Sequence, residues 1–472
     1  MRWKDILNLV GDYLRLGMVL LTIAIVVLFL GYKFIYKKIC KGKRQVDVKK
    51  LFWWIVLVFY LFVVLAITLF RPSGVWNGQI VSFFYSYREA WISASEMAWR
   101  NIILNILMFV PLGFWLPLGM KKFRFFWKTY IFGLLFTVGI ETLQLAFSLG
   151  IFEVADVLNN TLGTMIGYGL YKVMAYAMQL LKKENPKLSH VFASQIPLIL
   201  TTAMFATIFI AYDKQELGNL QIECISPYSK DTFKITSNQK YSQDSDTAMV
   251  YQTSTLTVEE TETFARNYFK NLGTSLDESR IDIYENTVYY WAKDRYHMVI
   301  TYKGGGYELT DFDIVFQEEG EKESQKVVDA TEEVIREALV GYGIEIPDGA
   351  TFSYDVDRGY VFTVDKVEIN GIIYDGQLTC EYYDNGKFAH IRNNINQFEV
   401  YKEFTICSEQ EAYEQILEGN FVCVANPGDQ MEIGQVSLAY FMDTKGFYQP
   451  VYNFEILVNG KGSYIQIPAI EK

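Results

Sequence analysis

The sequence has little of what usually builds metal and nucleophilic sites. Its 472 residues include three histidines, His190, His297 and His390, too scattered to form a ligand set. The five cysteines, Cys40, Cys224, Cys380, Cys407 and Cys423, do not fall at zinc-site spacings. From Asp213 onward there is no HExxH, GxSxG, Walker A or GxGxxG signature. No metal and no cofactor are therefore expected, and a binding or spacer module is favoured over an enzyme for that half. The net charge of −24 carried by that half disfavours nucleic acid as a partner.

Acidic residues are scarce at first and abundant later. Through Tyr212 there are 22 Lys+Arg against 9 Asp+Glu; the remainder has 21 against 45. With 51% hydrophobic residues but a mean hydropathy of only +0.10, the chain is too polar to lie wholly in a membrane. The break predicts a membrane domain over 1–212 and a soluble domain over 213–472.

Six apolar runs in the first part approach the roughly 20 residues a spanning helix needs: about 16–36, 51–70, 101–119, 127–149, 157–179 and 194–212. No cleavable signal peptide is expected, because the first run is long and its basic cluster, Lys33 through Lys50, follows it. Placing that cluster in the cytoplasm makes the loops alternate. The loop around Lys121, Lys122, Arg124 and Lys128 then falls inside, as do Lys182, Lys183 and Lys187. The expectation is an all-α, multi-pass cell-membrane domain of about six helices, with both the N-terminus and the domain after Tyr212 extracytoplasmic.

Within these runs, polar residues recur at helical spacing. Asn101 and Asn105 form one row; Thr137, Glu141, Gln144 and Ser148 form a second; Asp156, Asn160, Gly163 and Gly167 form a third. On the alternating topology the three rows converge in the outer half of the bilayer. An ionisable group inside a bilayer costs at least about 2.5 kcal/mol, so Glu141 is expected to face a protein interior or a water-filled cavity. Asn101, Asn105, Glu141, Gln144, Asp156 and Asn160 are thus candidate ligand-binding residues. Glu141 and Asp156 are candidate acids or bases, although helix-to-helix hydrogen bonding explains the Asn and Thr members equally well. The Gly163 and Gly167 spacing suits close helix packing, and Pro111 with Gly113 suits a mid-span kink beside Asn105.

Three segments also carry a family resemblance: NILMFVPLGFWLP from Asn105 to Pro117, IETLQ from Ile140 to Gln144, and FEVADVLNNTLGTMIGY from Phe152 to Tyr168. Their order resembles the VanZ-like family of bacterial membrane proteins, over about residues 55–178. Carried onto this chain, the family pattern marks Asn105, Phe109, Pro111, Gly113, Glu141, Gln144, Asp156, Asn160, Gly163 and Gly167. One departure is Ala155, where many members have a second acidic residue, which puts a paired-aspartate mechanism in doubt. The resemblance implies envelope association. The family name comes from a protein associated with teicoplanin resistance, so membrane lipid, a cell-wall precursor or a glycopeptide antibiotic are the partner classes to consider. A membrane-embedded acid–base enzyme on a lipid-linked substrate is the first alternative. A proton-linked transporter is the second, although no internal repeat of broken helices is visible.

The part after Asp213 alternates apolar and polar residues between turn signals at Lys303–Gly306, Asp384–Gly386 and Asn459–Gly460. Three amphipathic helices are expected, Val258 to Leu272, Gln325 to Tyr342 and Glu409 to Glu418, the last capped by Ser408. The reading is α+β with antiparallel sheets and two subdomains, 213–320 and 325–472. Cys224, Cys380, Cys407 and Cys423 could form two disulfides in three connectivities or remain free thiols.

Overall fold

The computed structural model describes residues 47–69, 80–316, 324–369 and 371–470. They divide into two compact units, one ending at Glu216 and the other beginning at Leu217. The expected first span, most of the basic cluster and Cys40 lie outside the described residues.

The first unit is helical: α1 (Val48–Leu69), α2 (Tyr85–Ser93), α3 (Glu96–Gly119), α4 (Phe126–Ala146), α5 (Val154–Leu181) and α6 (Leu188–Lys214). Ser95 starts α3 by accepting the Ala98 N–H, with Glu96 in the first turn where the helix dipole favours an acid. The helix continues through Pro111 and Pro117. Among the described residues four helices, α1, α3, α4 and α6, are long and apolar enough to cross a membrane. The fifth expected span corresponds to α5, which has 28 residues but is more polar. Its polarity has a packing reason: Asn159, Asn160, Thr161 and Thr164 are all buried.

Helices α3 and α5 meet backbone to backbone. A Cβ added at Gly163 would collide with the Ile106 carbonyl, at Gly113 with the Thr164 carbonyl, and at Gly167 with the Val110 carbonyl. Small residues at such a crossing let helices gain dispersion contact without a hydrophobic driving force. Beside them Leu57, Val64, Phe109, Leu112, Leu116, Phe123 and Ile140 form the apolar interior.

In the second unit, fourteen strands among the described residues form one sheet. Its ladders are antiparallel except where Lys234–Ser237 runs parallel to Gln430–Met442. The two-residue Asn459–Gly460 turn has both residues at positive φ and joins Phe447–Val458 to Lys461–Pro468, as a tight hairpin requires.

The helices there are Val258–Asn271, Phe312–Val315, Glu332–Val340 and Glu409–Leu417. Thr257 and Ser408 each open a helix with a capping box, to Glu260 and Glu411. The middle helix starts later than the sequence suggests. Lys326 bridges to Tyr383 and the Val327 N–H donates to the Tyr382 carbonyl, so backbone pairing holds this stretch extended until Thr331.

Two apolar clusters fill the unit. One gathers Phe269, Tyr290, Met298, Leu309, Ile335, Phe362 and Ile391; the other gathers Phe233, Ile406, Ile416, Phe421, Phe454 and Ile465. Residues before and after 317–323 share the first cluster, so the apolar partition does not fall at the expected 318–324 boundary. The four cysteines here are free thiols. Cys380 belongs to the first cluster, whereas Cys407 and Cys423 pack against the second.

Candidate functional site

The close crossing of α3 and α5 brings Asn105 to Asp156, whose Oδ1 accepts a hydrogen bond from the Asn105 Nδ2 at 2.6 Å. One turn deeper, the Asn160 Nδ2 donates to the Thr137 Oγ1 on α4 at 2.9 Å. Glu141, one turn further along α4 from Thr137, accepts at Oε2 from the backbone N–H of Glu153 at 3.1 Å.

That last bond has a local cause. The first N–H groups of a helix lack intrahelical partners, and Glu153, the N-cap of α5, makes no side-chain cap of its own. A carboxylate from α4 fills the role, at the end of α5 where the helix dipole favours negative charge. Glu141 and Asn160 are buried, at 2% and 3% exposure, while Asn105 and Asp156 are partly buried. Glu141 also lies within electrostatic range of Asp156 and Glu153.

Two further contacts draw α2 into the group. The Glu153 Oε1 accepts the Ser86 N–H at 3.0 Å, and the Asn159 Oδ1 accepts the Tyr87 hydroxyl at 2.6 Å. Two buried amide atoms, Asn160 Oδ1 and Asn159 Nδ2, have no hydrogen-bond partner among the described residues. Nor do the described residues include a group of three His, Cys, Asp or Glu placed to hold a metal ion.

Not every residue of the three rows joins this group. Asn101 is exposed, one turn before Asn105 on α3. Gln144 turns instead to α1, where its Nε2 donates to the Thr68 carbonyl at 3.1 Å. Ser148 falls past the end of α4 with φ 52°, so the last step of its row is not helical. Pro111 is exposed, and Gly113, Gly163 and Gly167 act by close packing rather than by contact with the polar group.

Ser86, Tyr87, Glu153 and Asn159 belong to the group without having been singled out from the sequence. Glu153 had a readable signal, because a helix start without a capping side chain needs a partner for its N–H groups. Ala155 is buried and carries no acid; the additional carboxylate near Asp156 comes from Glu153.

Comparison with known proteins bears on this same stretch. Residues 57–175 match the VanZ/LLP1 family model. Protein VanZ of Enterococcus faecium is 28% identical over 120 residues, which is 25% of this chain and 71% of that protein. Asn105, Glu141, Asp156 and Asn160 all lie inside the matched residues, and the unit from Leu217 onward lies outside them.

Proposed function

Since residues 57–175 make this chain a member of the VanZ-like family, we propose that its membrane half binds a polar envelope component and so contributes to resistance against a teicoplanin-type glycopeptide. The ligand class is a cell-wall precursor or the antibiotic itself. Asn105, Glu141, Asp156 and Asn160 are the binding residues, and on the alternating topology of the basic loops this group falls in the outer half of the membrane.

The observation that carries this reading is the burial of Glu141 beside the Asn105–Asp156 pair. Keeping a carboxylate in a bilayer-spanning bundle costs at least about 2.5 kcal/mol, and the Glu153 N–H offsets only part of that. The Asn159 Nδ2 and Asn160 Oδ1 atoms, buried without a partner among the described residues, leave a donor and an acceptor unused at the start of α5. A second reading, acid–base chemistry on a lipid-linked substrate, is supported by the gathering of Glu141, Glu153 and Asp156 within electrostatic range.

Glu141→Gln and Asp156→Asn keep shape and hydrogen-bonding capacity while removing charge, so they separate chemistry from packing. Both variants should reach the membrane at wild-type abundance and lose the glycopeptide phenotype in a susceptibility assay. Wild-type susceptibility at wild-type abundance in both would reduce these residues to helix-packing contacts.

A further inference from the structure

A different face of α3 borders a cavity of about 700 Å³, inside the roughly 300–1,000 Å³ range of ligand pockets. Arg100, Leu104 and Leu107 follow one helical stripe along it, and Trp91, Phe209 and Tyr212 close its other sides. None of the four proposed binding residues lines it.

The lining is graded. At the start of α3 the mouth carries Arg100, partly buried, and Glu96, exposed. Aromatic rings surround that level, with Trp91 and Tyr212 edge to face at 6.0 Å and Trp99 and Phe209 at 5.4 Å. Tryptophan and tyrosine concentrate at the membrane–water interface, where an apolar body and a polar tip are both satisfied. From Arg100 to Leu107 the helix advances about 10 Å, and the lining becomes wholly apolar. Leu107 is 55% exposed, which leaves the deep end open along the side of the bundle.

We propose that this cavity is a phospholipid site. The headgroup phosphate pairs with Arg100, a headgroup ammonium pairs with Glu96, and one acyl chain lies along Leu104, Leu107 and Phe209. The charge pattern selects this occupant. A guanidinium fork matches phosphate oxygens in two parallel hydrogen bonds, and the N-terminal end of a 24-residue helix favours the same anion. A carboxylate one turn away complements an amine-bearing headgroup and opposes a purely anionic one.

The test uses the full chain in detergent, titrated by native mass spectrometry with phosphatidylethanolamine, phosphatidylglycerol and diacylglycerol of equal chain length. Wild type should bind phosphatidylethanolamine most tightly, phosphatidylglycerol more weakly by up to about fivefold, as expected of an exposed ion pair, and diacylglycerol weakest. Arg100→Gln should weaken both phospholipids about tenfold, the scale of one lost charge-assisted hydrogen bond. Glu96→Gln should equalise them, and Leu104→Trp should weaken all three by filling the cavity. Equal binding of diacylglycerol and phospholipids to wild type, or phosphatidylglycerol binding as tightly as phosphatidylethanolamine, overturns the proposal. So does unchanged binding in Leu104→Trp. The wild-type series decides even if a variant fails to fold, and a negative result leaves the Glu141 reading untouched.

Discussion

Asn105 and Asp156, 51 positions apart in the chain, share a 2.6 Å hydrogen bond across α3 and α5. A polar contact between two membrane helices is worth less than its geometry suggests, because the separated helices find other partners. A double-mutant cycle of Asn105→Ala and Asp156→Ala, read by thermal unfolding in detergent, should give a coupling of about 0.6–1.7 kcal/mol. Zero coupling would mean that the contact contributes nothing to the crossing.

The crossing itself depends on glycine. Gly163→Ala places a Cβ against the Ile106 carbonyl, so the backbones must part, at about 1–3 kcal/mol. Gly139→Ala is the control, with open space around its Cβ, and should be neutral or stabilising by up to about 1 kcal/mol through helix propensity. Equal melting temperatures for the two variants would contradict the close contact.

Orientation follows from the basic loops. If the proposed alternating topology holds, the unit that begins at Leu217 is outside, and protease added to intact protoplasts should remove it. Cleavage seen only after lysis would place that unit, and the polar group with it, on the wrong side.

That unit carries its own two apolar clusters, so residues 217–472 expressed alone should be soluble and unfold in a cooperative thermal transition. Aggregation without a transition would show that its core is completed by the membrane half.

Cys380 is 1% exposed, and burial with the nearby Glu381 charge pushes its thiol up to about 12. Thiolate is the reactive form, and burial also pushes Cys423 up to about 11, so the order rests chiefly on access: a small alkylating reagent at pH 8 should modify partly buried Cys423 before Cys380 in the native protein. Mass spectrometry of the labelled peptides reads the order. Rapid labelling of Cys380 without denaturant would contradict its place in the core.

The sequence by itself determined what repeats locally. Apolar runs marked α1, α3, α4 and α6, helical spacing put Asn160, Gly163 and Gly167 on one face, and Asn459–Gly460 marked its hairpin. Ser408 marked its helix start, because capping depends on three or four consecutive residues. Spacing could not say that Ser148 lies past a helix end, or that Asn101 stays exposed while Asn105 meets Asp156. Nor could it show that the N–H satisfied by Glu141 belongs to Glu153, or that residues 325–330 pair with a strand instead of starting a helix. Those outcomes are settled by which helix or strand approaches, and the approach is set by contacts dozens of positions apart. The same is true of the glycines: the sequence shows room for a neighbour at Gly163, and only the fold decides that the neighbour is the carbonyl of Ile106.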